Sequence, residues 1–141
     1  MQCKALRDSD QEIRNYDVAY FMASVDSIED NTGFAEKNNA SFPILADTSK
    51  AVSEAYGVLG FHGYANRWTF YIDPEGVIAR IDKDVSPRTA GEDLVASLNE
   101  LEVPPAGPCY LFGTASPRCR PLFLSRNPST DHYNFMTLST R

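Results

Sequence analysis

Residues 18–25 read VAYFMASV, an almost unbroken apolar run rich in β-branched and aromatic side chains. Such a run shows neither helical periodicity nor the strict alternation of a strand with one wet face. It suits a central strand buried on both faces, the kind found in parallel sheets covered by helices. Asp26 and Ser27 close it, and both residue types can cap a following helix.

The flanking chain alternates in character around that strand. Residues 1–16 read as a helix in which Cys3, Leu6 and Ile13 fall near one face. Residues 28–39 read as a short helix. SFPILAD is a short strand, and Pro43 suits an edge or a strand start. DTSKAVSEAYGV is a helix capped by Asp47, Thr48 or Ser49, with Val52, Ala55 and Tyr56 as its apolar stripe and Gly57 at its C-terminal cap. WTFYID-PEG-VIARID reads as a β-hairpin around a Pro-Glu-Gly turn. Residues 88–101 form a last helix with Leu94, Val95, Leu98 and Leu101 on one face. The order α-β-α-β-α-β-β-α implies an α/β layered fold. Residues 1–102 form the domain. Residues 103–141 hold 6 of the 9 prolines with no clear period and read as a mostly unordered tail.

Composition narrows the function. Nine Lys/Arg against 18 Asp/Glu in residues 1–102 make an acidic body, which argues against nucleic acid as a partner. No run reaches bilayer length and no secretory pattern opens the chain, so no membrane role and a cytoplasmic location are expected. Three cysteines, Cys3, Cys109 and Cys119, are too few for a secreted disulfide framework and favour free or catalytic thiols. His62 and His132 stand alone, so no metal site is expected. GVLGFHGYAN is Gly-rich without phosphate-loop spacing. Trp68, Phe70 and Tyr71 read as core and surface of a sheet.

Residues 4–101 as a set resemble the peroxiredoxins of the alkyl hydroperoxide reductase/thiol-specific antioxidant family, in particular the group that includes bacterioferritin comigratory protein. CKALRDSDQEIRNYDVAYFMASVDS is similar to the helix after that family's catalytic cysteine and the strand that follows. FPILADTSKAVSEAYGV and RWTFYIDPEGVIARI are similar to its Phe-Pro segment and its Arg-x-x-Phe hairpin. The resemblance implies a thioredoxin-like fold, a central mixed sheet flanked by helices, here lacking the N-terminal strands. It implies a thiol peroxidase that needs no bound cofactor, reduces hydrogen peroxide or organic hydroperoxides, and is reset by a thioredoxin-like reductant. The alternative is a catalytically inactive redoxin-fold fragment. The family's Pro-x-x-x-Thr-x-x-Cys loop is absent, and the resemblance places its peroxidatic cysteine upstream of Cys3, before Met1.

The chemistry requires a thiolate, whose pKa a helix N-terminus and a nearby cation lower. The resemblance makes Arg67 that cation. For Cys3 three roles stay open: a resolving thiol, the nucleophile itself, or a small buried core residue. Arg7 and Asp8 form a local polar pair. Cys109 and Cys119 fall in the tail, where a resolving role is possible and coincidence is the simpler reading. Sheet edges exposed by missing strands imply self-association.

Overall fold

The computed structural model describes residues 1–106 and the backbone of residues 133–138. The elements run α1 (Gln2–Asp8), α2 (Asp10–Ile13), β1 (Val18–Ser24), α3 (Ile28–Asn38), β2 (Ile44–Ala46), α4 (Ala51–Ala55), β3 (Trp68–Ile72), β4 (Ile78–Asp82), α5 (Ala90–Glu100) and β5 (Tyr133–Leu138). The strands form one mixed sheet in the order β2-β1-β5-β3-β4. β1 pairs parallel with β2 on one side and parallel with β5 on the other, Val18 opposite Tyr133 through Ala23 opposite Leu138. β3 runs antiparallel to both β5 and β4.

Sequence chemistry accounts for the local starts and stops. Ser27 caps α3 by accepting the Asp30 N–H at 3.1 Å, and Glu29 and Asp30 put negative charge on its first turn. Asn39 ends that helix in the left-handed conformation. The β3–β4 turn closes as expected: Gly76 sits at φ 83°, and the Asp73 side chain accepts the Val77 N–H at 2.8 Å. α4 is capped from outside. The Asp47 carboxylate accepts the Ser53 N–H at 2.7 Å and the Ser53 hydroxyl at 2.8 Å. This bond turns α4 so that Ser53 is its buried residue. Val52 is 42% exposed and Ala55 is also exposed, which corrects the stripe read from the sequence. Burial pushes the Asp47 carboxyl up, but the hydrogen bonds from Ser53, Val52 and Ser49 outweigh it and hold the carboxyl below its ordinary range.

The alternation of β1 and β3 feeds two cores. Val18, Tyr20 and Met22 of β1 and Tyr71 of β3 face one cluster with Cys3, Leu6, Ile13, Phe42, Leu94 and Leu98. Phe21, Ala23 and Val25 and then Trp68, Phe70 and Ile72 face the other, with Tyr56, Val58 and Ala65. VAYFMASV therefore is covered on both sides, although Ala19 is exposed. Each large side chain buried in these clusters contributes about 1.5–3 kcal/mol.

Three further features differ from the sequence reading. The expected helix over 1–16 is two helices that break at Ser9. The boundary expected after residue 102 does not stop the packing: Val103 is buried, the Asp17 N–H donates to the Pro104 carbonyl at 2.7 Å, and the Ala106 N–H donates to the Asn15 carbonyl at 2.8 Å. Within the segment read as an unordered tail, Tyr133–Leu138 is a strand at the centre of the sheet. CYLF, PLFLS, Cys109, Cys119 and His132 lie outside the described residues.

The helical layer over the first cluster depends on one close approach. A Cβ at Gly91 would stand 2.4 Å from the Ala5 carbonyl oxygen and 2.4 Å from Ser9 Oγ. α5 crosses α1 there, at the Ser9 break, with no room for a side chain. Replacing a helical Gly by Ala otherwise gains up to about 1 kcal/mol. Here Gly91→Ala is expected to destabilise the fold by about 1–3 kcal/mol, because backbone must shift. Thermal unfolding followed by circular dichroism checks this: Tm falls by several degrees.

Candidate active site

α1 carries Cys3 and Leu6 one turn apart, and both point into the first cluster. Cys3 is 1% exposed and is a free thiol. Burial pushes the Cys3 thiol pKa above its ordinary value, and the weaker opposite pulls of the α-ammonium and of Arg7 do not offset it. The guanidinium of Arg7 is committed elsewhere. Its Nε and Nη2 donate to Asp8 Oδ1 at 2.9 and 2.6 Å, and its Nη1 donates to the Asn38 carbonyl at 3.0 Å. The local Arg7–Asp8 pair read from the sequence is thus present, and it also ties α1 to the end of α3.

Arg67 is half-buried and immediately precedes β3. The register sets its address. Leu138 lies opposite both Ala23 and Trp68, so Arg67 stands at the carboxyl ends of the parallel pair β1 and β5. That edge is where open α/β sheets bind ligands. Ser24 and Asp26 occupy the same end of β1, their side chains hydrogen-bonded to each other. The reading from sequence leaves out one further cation at this edge. Lys83 Nζ lies 4.4 Å from the centre of the Trp68 ring. Its only signal is the hairpin register, which sets Asp82 opposite Thr69 and hence residue 83 opposite Trp68.

The other candidates fall away from this edge or take structural roles. Phe70 and Tyr71 are core, at 1% and 3% exposure, and Trp68 is half-buried beside them. His62 is exposed and stacks edge-on against Phe61 at 5.5 Å. Gly60 and Gly63 shape a tight loop: the Gly60 N–H donates to the Tyr64 carbonyl at 2.7 Å, and Gly63 sits at φ 75°. Among the described residues, no group of three or more His, Cys, Asp or Glu could hold a metal ion. No helix among them is long and apolar enough to cross a membrane.

A mixed sheet with helices on its faces describes a layered α/β protein. The AhpC/TSA family model matches residues 1–81. The chain therefore belongs to the AhpC/TSA family, the peroxiredoxins. Alkyl hydroperoxide reductase E of Mycobacterium bovis is 40% identical over 76 residues, which is 52% of this chain and 50% of that protein. The chain thus spans about half the length of that curated relative. Among solved structures, AhpC of Mycobacterium bovis superposes with a TM-score of 0.64 at 23% identity, covering 72% of this chain and 60% of that one. Bacterioferritin comigratory protein of Xanthomonas campestris does so with a TM-score of 0.61 at 21% identity, covering 70% and 68%. These likenesses carry the fold, which is thioredoxin-like.

The burial of Cys3 makes a direct prediction. In a Cys109→Ser/Cys119→Ser background, Cys3 reacts with a thiol-alkylating reagent at least about 100-fold more slowly than in the same chain unfolded in urea, because access requires opening of α1. The sign of the pH effect follows from the raised thiol pKa. The stability due to the neutral buried thiol is complete below the unfolded-state pKa and is lost as pH rises through the higher folded value. Urea midpoints should accordingly fall on the alkaline side, and should fall less in Cys3→Ala.

Proposed function

We propose that this chain serves thiol-dependent reduction of hydrogen peroxide or organic hydroperoxides, with a thioredoxin-like dithiol as reductant, and that its attacking thiolate is not Cys3. AhpC/TSA membership and the thioredoxin-like fold support the reaction class. The single observation that carries the assignment of roles is the 1% exposure of Cys3 in the core.

In this chemistry a thiolate sulfur attacks one peroxide oxygen; with Cys3 excluded, that sulfur belongs to Cys109, to Cys119 or to the cysteine that the family resemblance places upstream of Met1. The S–O bond forms, the O–O bond breaks, and the leaving alkoxide or hydroxide takes a proton. A second thiol then displaces water from the sulfenic acid and leaves a disulfide. The reductant dithiol exchanges with that disulfide and becomes oxidised itself. A protonated, sealed thiol cannot begin this sequence. It can enter at the second step, as a resolving thiol, if α1 opens locally around it. Arg67 is the cation that would hold the thiolate and the departing oxygen, since its guanidinium stays charged and presents a fork of donors.

A second reading is favoured by the same burial: a redoxin-fold module that keeps the scaffold and does not turn over. Peroxide consumption with thioredoxin and its reductase separates these. The expected result is that Cys3→Ser leaves the single-turnover reaction with peroxide, followed before any reductant is added, at the rate of the parent chain, while thioredoxin-coupled turnover slows only as far as Cys3 resolves the sulfenic acid. A rate abolished by Cys3→Ser identifies Cys3 as the nucleophile and overturns the assignment. A rate that survives Cys3→Ser but drops 10-fold or more (about 1.4 kcal/mol) in Arg67→Gln supports both roles. No consumption by the parent chain or by Cys3→Ser supports the module reading.

A further inference from the structure

The central position of β5 points beyond the single chain. Within the described residues, β2 pairs with β1, β4 pairs with β3, and only β5 hydrogen-bonds across between the two pairs. The slot between β1 and β3 is therefore a strand-binding site. One wall takes a parallel strand, from Val18 to Ala23, and the other an antiparallel strand, from Trp68 to Ile72. The side chains behind both walls are core, including Tyr20, Met22, Phe70 and Tyr71.

The connection to the occupant is long. Ala106 packs against Asn15, and β5 begins at Tyr133, so residues 107–132 join them. Such a stretch spans up to about 90 Å when extended. That exceeds the diameter of about 40 Å of a compact chain of this size. Covalent reach therefore does not decide whether β5 fills its own slot or the slot of a neighbour. Register and side-chain sequence do not decide it either, because both slots are identical. What favours the own slot is effective concentration, and that falls as the connection lengthens.

We infer that β5 exchanges between copies: the slot between β1 and β3 accepts Tyr133–Leu138 of a second chain in the same register, and gives a reciprocal strand-swapped dimer at high protein concentration. Exchange of an identical element is a low-cost route to a dimer, since every contact made within one chain is remade between two. The inference is independent of the peroxidase chemistry, and it assigns the expected self-association to the interior of the sheet rather than to its edges.

Cross-strand cysteines test it. Thr69 lies opposite Thr137 across the antiparallel β3–β5 pair. Opposed Cα atoms in such a pair stand about 4.5–5.5 Å apart, within the range of a disulfide. In a chain with Cys3, Cys109 and Cys119 changed to Ser, the Thr69→Cys and Thr137→Cys single variants are mixed at total concentrations from about 10 μM to about 1 mM, equilibrated and oxidised. The expected product is a disulfide-linked heterodimer whose yield rises with concentration, while the double variant closes within one chain at the lowest concentration. A Glu75→Cys variant, at the exposed hairpin turn, reports random collision. Heterodimer no more abundant than that control at any concentration overturns the proposal, as does a double variant that closes in neither mode. Light scattering after size exclusion on the unmodified chain keeps the test independent of the substitutions: a dimer fraction that grows with concentration and persists for minutes after dilution supports exchange, and a monomer throughout the range overturns it.

Discussion

The hydrogen-bonding of one late strand across the middle of the sheet is the constraint on which the rest of this structure depends. β1 and β3 each face both cores. Both are interior strands, and their buried backbone N–H and C=O groups need partners on both sides. Neither is adjacent to the other. β5 lies between them, parallel to one and antiparallel to the other, and so converts two two-stranded pieces into a sheet. A two-stranded piece alone is marginal in water. The register of β5 also sets where the candidate site lies: by setting Leu138 against both Ala23 and Trp68, it brings Arg67, Lys83 and Asp26 to one edge.

The first core and the chemistry of the family pull Cys3 in opposite directions. A reactive thiol wants water, a cation and a helix N-terminus; a packed one wants apolar neighbours. α1 presents Cys3 on the same stripe as Leu6, and the stripe packs against α5 through the close crossing at Gly91. Packing settles the contest in favour of the neutral form. Arg7, one turn further along that helix, spends its donors on Asp8 and on the end of α3.

Much of this fold is legible from the sequence wherever the signal is local. VAYFMASV announces a covered strand, Ser27 and Asp47 announce caps, and Pro-Glu-Gly with Gly76 announces a hairpin turn. What is not legible depends on contacts distant in sequence. The Asp47–Ser53 bond turns α4 away from its apparent stripe, because one buried hydrogen-bonded carboxylate outweighs the partial burial of Val52. Ser9 breaks the first helix where α5 crosses it, and Gly91 carries no mark in the sequence of that contact. YNFMTL has strand character of its own, but its partners in β3 and β1 stand between 62 and 115 residues earlier, behind a proline-rich stretch, and no local pattern reports such a pairing. The candidate site divides in the same way. Cys3 and Arg67 are visible as residue types, while the burial of the one and the edge position of the other come from the tertiary structure.

The late position of β5 in the chain has a consequence for how the protein is made. Translation delivers residues in order, at about 5–20 per second. Val18 and Trp68 therefore leave the ribosome well before Tyr133 and Leu138, the residues they will face. For those seconds the nascent chain holds two incomplete half-sheets with apolar strands open on one side, and its native contacts are among the most non-local a chain of this length can have. The vulnerable species in the life of this protein is thus the one still being synthesised, and its yield depends on what shields β1 and β3 until the last strand arrives.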